Sequence, residues 1–227
     1  MVDWSNIAES AQKGRRGNTQ VPPEDIEKYT KFYEARLAAY GYDDEEPKNR
    51  ATLARYCAKY YSGCMPKGLA LVGDTGRGKT CGMRIMAKLF GWRWYDACDL
   101  VDTWQKLGVK NRADLWAELK GYNCSTSWPD GYQHCWKDIV IDDVGTEPTL
   151  NDYGTKLEVL GQIIDKRVKE YEHNQAYTFM TFNLVKTDDP LTDKSIQGRY
   201  GARVLSRLEQ VCHVVKLDGP DRRLTNT

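Results

Sequence analysis

Residues 69–80 read LALVGDTGRGKT, a short apolar run followed at once by a glycine-rich loop. The apolar run has the length of a buried strand, and the residues after Lys79 have helical spacing. Between them, Gly73 to Thr80 fits G-x-x-x-x-G-K-[ST] at every defined position. Glycine lets the backbone N–H groups turn inward and cradle phosphate oxygens. The helix that opens near Lys79 points its positive end at the same anion. Lys79 would then reach the β and γ phosphates of a nucleotide, and Thr80 would ligate magnesium. Gly73, Asp74, Thr75, Gly76, Arg77, Gly78, Lys79, Thr80 and the adjoining Cys81 are the candidate nucleotide contacts. The plainer reading is a turn that only joins strand to helix, but the context that the motif requires, a strand before and a helix after, is also present.

A second stretch, DIVIDDVGTE at 138–147, carries a related demand. Ile139, Val140 and Ile141 read as a buried strand, and it runs straight into Asp142 and Asp143. Two adjacent carboxylates beside an apolar interior are unfavourable unless something neutralises them. A divalent cation would do so, as would a nearby cationic side chain, and the plainer alternative is a strand surfacing into a polar turn. The glycine loop is what points to a cation. Asp142 is the candidate for the magnesium shell, and Asp143 the candidate to orient or deprotonate an attacking water.

Composition limits the alternatives. The chain has 227 residues, 41% hydrophobic and 29% charged, which suits a soluble globular protein with one large domain and an appendage. No apolar run is long enough to span a membrane, and the first twenty residues lack the apolar segment of a signal peptide. A cytoplasmic protein is expected. Seven cysteines without a CxxC pair read as reduced thiols. Cys124, His134 and Cys135 would supply only three zinc ligands from one loop. The net charge of +1 means that any nucleic-acid contact comes from a local patch.

Along the chain, residues 1–20 form a polar arm with Lys13, Arg15 and Arg16. A helix follows, opened by prolines and closed near Gly41, with Ile26, Tyr29, Tyr33, Leu37 and Tyr40 as its apolar stripe. The stripe either packs on the body of the protein or docks a partner. Residues 43–49 are a charged linker, so the chain divides into 1–44 and 45–227. A second helix runs to about residue 60. Strands at 69–73, 92–96, 138–142, 178–182 and 211–217 then alternate with helices at 79–90, 98–107, 111–120, 153–172 and 199–210. That alternation predicts an α/β domain with a mainly parallel five-stranded sheet between helical layers. Asn183 ends the fourth strand, either as a turn residue or as a polar group facing the γ-phosphate. Arg199, Arg203 and Arg207 fall at i, i+4 and i+8, which predicts one basic helical face. It is either solvated or meets an anion from a neighbouring subunit. Lys106, Lys110, Arg112 and Lys120 lie among Trp116, Tyr122, Trp128, Tyr132 and Trp136. Such a mixture suits stacking on single-stranded DNA, although aromatics at these positions also pack.

The set GDTGRGKT, DIVIDDVGTE, IIDKR (163–167), TFNL (181–184), YGARVLSRL (200–208) and LDGPDRR (217–223) resembles the DnaC/IstB-like AAA+ ATPases in order and approximate spacing. WYDACDLVDTW resembles that family's second strand and following helix. The resemblance covers roughly 45–223 and implies a P-loop NTPase fold of the AAA+ type, with ATP and Mg²⁺ as ligands. By the same resemblance Asn183 is the first sensor, and Arg207, within LSRL, is an arginine finger acting in trans, a role that Arg203 could share. It further implies a homo-oligomer on single-stranded DNA that loads or remodels a replicative helicase. A transposition helper that targets a transposase, or an ATP-dependent scaffold without DNA contact, are the alternatives. The chain stops soon after Arg223, so a C-terminal lid is expected to be absent. Asp143 stands where many relatives have Glu, which implies slow hydrolysis, stimulated by oligomerisation or DNA.

Overall fold

The computed structural model describes residues 22–42, 47–107, 112–120, 138–152, 155–183, 195–219 and 221. The basic arm, the Cys124/His134/Cys135 group, Lys110, Tyr122, Trp128, Tyr132 and Trp136 lie outside them. The chain forms two compact units, Met1–Pro66 and Lys67–Thr227. Among the described residues no helix is long and apolar enough to cross a membrane.

The first unit is a pair of helices, α1 (Pro23–Ala39) and α2 (Pro47–Tyr61). Proline at the opening of α1 loses no helical hydrogen bond, and Glu24 and Asp25 complement the positive end of its first turn. The middle of its apolar stripe turns toward α2, while Tyr40 at its end is exposed. Tyr33 and Leu37 are buried, and Tyr29 and Tyr33 both meet Tyr61 edge-on, at 4.9 and 5.9 Å between ring centres. Arg50 pairs with Glu34 at 3.7 Å. The helix that begins at Pro47, on the far side of the charged linker, thus belongs with α1 in this unit.

In the second unit the elements follow the order β1 (Gly68–Val72), α3 (Lys79–Phe90), β2 (Arg93–Asp96), α4 (Ala97–Lys106), α5 (Arg112–Lys120), β3 (Ile139–Val144), β4 (Leu150–Asp152), β5 (Thr155–Leu157), α6 (Val159–Asn174), β6 (Thr178–Phe182), α7 (Ile196–Tyr200), α8 (Ala202–Val211) and β7 (Cys212–Lys216). Five strands form one sheet in the order β2-β3-β6-β1-β7, and every pairing is parallel. Strand side chains alternate between faces. Ala70, Val72, Ile139, Ile141, Met180 and Phe182 share a core with α4 to α8. Leu69, Leu71, Val140 and Phe179 have the other parity and are equally buried. On that face α3 packs against β3 and β6, and Trp92 stacks on Phe179 at 3.6 Å. The result is the expected α/β fold of three layers.

Two expectations are corrected. The helix placed at 153–172 begins only at Val159, because the chain first makes the antiparallel hairpin β4–β5. The single helix placed at 199–210 is two helices, broken at Gly201, whose φ of 86° and ψ of 161° no helix accommodates. Arg199 therefore lies on α7, while Arg203 and Arg207 lie on α8, and the three arginines do not form one row.

Arg167 locks α6 to the sheet. It is 1% exposed and donates to Thr178 Oγ1 at 2.8 Å, to the Leu119 carbonyl at 2.9 Å and to the Tyr177 carbonyl at 2.6 Å. Burial pulls its pKa down to about 10, opposed by Asp138 and Glu170. Truncation would leave buried acceptors without donors, so Arg167→Ala should cost about 2–4 kcal/mol in urea unfolding. A loss below about 1 kcal/mol, inside the net range of one ordinary hydrogen bond, would show that the buried acceptors find other donors.

Candidate functional site

Sheet parity positions the site. Val140 faces α3, so Asp142, two residues on, faces it too. The same rule turns Thr181 of β6 to that side, following Phe179. Asp142 Oδ1 accepts from Thr80 Oγ1 at the start of α3, at 3.0 Å, and from Thr181 Oγ1 at 2.5 Å. The strand end, the glycine loop's helix and the neighbouring strand thus meet at one carboxylate oxygen.

Asp142 is 3% exposed. Burial raises its pKa, reinforced by the charge of Asp143, while the hydrogen bonds from Thr181 and Thr80 and the charge of Arg84 pull the other way. The carboxylate pair is therefore supported first by hydroxyl donors, a contribution the sequence reading did not include.

Asp143 breaks the parity. The β3–β6 register shifts between Ile141 and Val144, and Asp143 has a φ of 55°. A non-glycine residue persists there only when its surroundings fix it. Its N–H donates to Thr181 Oγ1 at 2.9 Å, and its carbonyl accepts from Thr146 Oγ1 at 2.7 Å. Its carboxylate is aimed by Asn183, whose Nδ2 donates to Oδ1 at 3.0 Å. Asn183 is thus beside the acids rather than only a turn residue.

In the glycine loop, Gly73, Gly76 and Gly78 have φ of 138°, 80° and 78°. Gly73 also runs close to the chain after β7: a Cβ there would lie 2.7 Å from the Leu217 carbonyl oxygen. Lys79 is 4% exposed, and its ammonium donates to the carbonyls of Gly73 and Asp74, at 2.8 and 2.7 Å. Asp74 and Thr75 are exposed, Arg77 reaches Asp74 at 3.3 Å, and Cys81 is exposed one residue after Thr80. The Asp221 carboxylate lies against Gly76, where a Cβ would collide with it.

Asp96, missed at the sequence level, stands in register with Asp142 on β2. One carboxylate oxygen each from Asp96, Asp142 and Asp143 lies within 4.8 Å of the others. Hard oxygen donors of this kind, with the Thr80 hydroxyl, fit magnesium. Asp96 Oδ1 also caps α4, accepting from the Cys98 N–H at 2.8 Å. The signal available in the sequence was an acid ending the strand beside β3.

The arginines on α8 have other contacts. Arg203 pairs with Asp165 of α6 at 3.2 Å, and Arg207 Nη1 donates to Gln210 at 3.1 Å. Among the DNA candidates, Trp116 packs edge-on against Trp104 at 5.0 Å, and the Arg112 guanidinium lies 4.6 Å over the Trp104 ring. Lys120 pairs with Glu170 at 3.8 Å. Packing thus accounts for Trp116.

Thr181 holds both acids, so Thr181→Val, which keeps the strand's shape, should weaken magnesium-dependent nucleotide binding by about 10–100-fold. Titration calorimetry checks this. Unchanged binding would show that Thr80 alone fixes Asp142.

No protein-family model matches the chain, and no curated protein sequence matches it. Solved structures do. The crystal structure of DnaI aligns over 89% of this chain and 94% of its own, with a TM-score of 0.53 at 17% identity. That of the DnaC helicase loader aligns over 83% of this chain and 99% of its own, with a TM-score of 0.52 at 19% identity. The chain therefore has the fold of these two proteins, the α/β fold that the alternation of strands and helices predicts.

Proposed function

We propose that this chain is an AAA+ ATPase of the DnaC/IstB-like family, acting in DNA replication as a helicase loader. The observation that carries the reading is the Asp142 carboxylate shared by Thr80 and Thr181, at the foot of a helix whose Lys79 is buried in the glycine loop. That arrangement suits a magnesium nucleotide. The fold shared with the DnaC helicase loader supports the role.

In this reading the loop backbone and Lys79 bind the phosphates of ATP, and Thr80 and Asp142 hold magnesium. Magnesium there would supply positive charge against the β and γ phosphate oxygens. Asp143 accepts the proton of the attacking water, and Asn183 keeps its carboxylate oriented by donating to Oδ1. Arg207 of one subunit completes the site of the next, so the active form is a homo-oligomer. Single-stranded DNA and a replicative helicase are the proposed partners, in the cytoplasm.

Lys79→Ala should abolish ATP binding, because it removes the charge facing the phosphates. Asp143→Asn should bind ATP as the wild type does and lose turnover. Both are read by calorimetry and phosphate release. Equal turnover in wild type and Asp143→Asn would place the base elsewhere.

Arg207→Ala should bind ATP normally and hydrolyse it about 10³–10⁵-fold more slowly, the range for a trans arginine. Mixing it with Lys79→Ala should restore activity, because a mixed interface pairs an intact loop with an intact arginine. No recovery from chains shown to co-assemble would put the role of Arg207 inside its own subunit.

A further inference from the structure

The loop that follows the two acids is gripped from behind by a buried cluster. Glu147 is 2% exposed. Its Oε2 accepts from the Gly145 N–H at 2.8 Å, and its Oε1 accepts from Arg199 Nη2 at 3.1 Å and from the Tyr200 hydroxyl. Arg199 also donates to the carbonyl of Gly145 at 2.8 Å and to that of Glu147. One guanidinium therefore holds the backbone of residues 145–147 and neutralises the carboxylate buried among them. Burial and the neighbouring Glu147 push the Tyr200 hydroxyl well above its ordinary pKa, so it stays a donor.

The two ends of this cluster lead to different places. On one side, Thr146 is the next residue after Gly145, and its N–H and Oγ1 both donate to the Asp143 carbonyl, at 3.2 and 2.7 Å. Those bonds help to hold Asp143 at its positive φ. On the other side, Tyr200 is the last residue of α7. Gly201 follows and turns the chain directly into α8, where Arg203 and Arg207 lie. A buried charged group satisfied by several partners contributes little net stability compared with an apolar replacement, but it fixes one geometry.

We propose that Glu147, Arg199 and Tyr200 are positioning residues that couple Asp143 in a subunit's own site to the α8 helix of the same subunit. The coupling rests on the ATPase reading above, in which α8 carries the arginine offered to the next site. A shift at Asp143 passes through Thr146 and Gly145 to the Arg199 guanidinium, and from Tyr200 across the Gly201 break to α8. Arg199 accordingly acts inside its own subunit and is not presented to a neighbour's nucleotide.

The test uses the full chain with Arg199→Ala, Arg199→Lys, Glu147→Gln and Tyr200→Phe. The last two keep size and shape, so they remain informative should Arg199→Ala fold poorly. In Arg199→Ala and Glu147→Gln, kcat should fall by about 10–100-fold with ATP affinity within about threefold of wild type. Arg199→Lys should recover part of that loss, because an ammonium can still meet Glu147. Hydrogen exchange, measured without turnover, should rise together in 143–147 and 202–211 in both weakened variants, with 79–90 unchanged. Exchange that rises in 143–147 while 202–211 stays as in wild type would overturn the coupling. So would a uniform rise across the chain, or, where the wild type hydrolyses ATP, a kcat unaltered in Arg199→Ala and Glu147→Gln. Should the wild type show no hydrolysis at all, the ATPase reading fails, and the exchange pattern alone decides whether the two segments are coupled.

Discussion

A single carboxylate oxygen, Asp142 Oδ1, is the point on which the candidate site depends. It accepts from a hydroxyl on the helix after the glycine loop and from a hydroxyl on the neighbouring strand. A buried carboxylate without such donors would be costly enough to take up a proton. Here the hydroxyls of Thr181 and Thr80 oppose the rise that burial causes, at the end of a strand in an apolar sheet. The same Thr181 hydroxyl accepts from the Asp143 N–H, so the two acids are fixed relative to each other as well as to the loop. Parallel pairing of β3 with β6, and the packing of α3 across both, are what bring these three hydroxyl and carboxylate groups together.

Much of this was legible in the sequence because the signals were local. The glycine spacing, Lys79 and Thr80 sit in one eight-residue stretch, and the acids end an unmistakable apolar run. The alternation of strands and helices fixed the layered α/β architecture. What escaped depended on register or on short elements. Thr181 is an ordinary strand residue until the β3–β6 register sets it beside Asp142. Asp96 likewise gains meaning only from its pairing opposite Asp142. The β4–β5 hairpin has strands of three residues each, too short for a period to show. Gly201 fits a helical pattern as a tolerated glycine, and only its backbone angles reveal that it separates Arg199 from Arg203 and Arg207.

That separation changes the account of the arginines. A continuous row would have offered all three to one anion. Instead the first is committed to Glu147 and the loop behind the acids, and the other two ride on a helix whose contacts run to α6. The positive φ at Asp143 fits the same pattern. Strain at that residue is held by Thr181, Thr146 and Asn183 together, which is the kind of over-determination expected where a side chain must be aimed.

The central claim, that the glycine loop and the shared Asp142 carboxylate form a magnesium-nucleotide site, is tested most directly by titrating ATP into the wild-type chain with Mg²⁺ and again with EDTA. The account predicts saturable binding at one site per chain, tightened at least about tenfold by magnesium. Saturable binding that is indifferent to magnesium, or no binding in either condition, would contradict it.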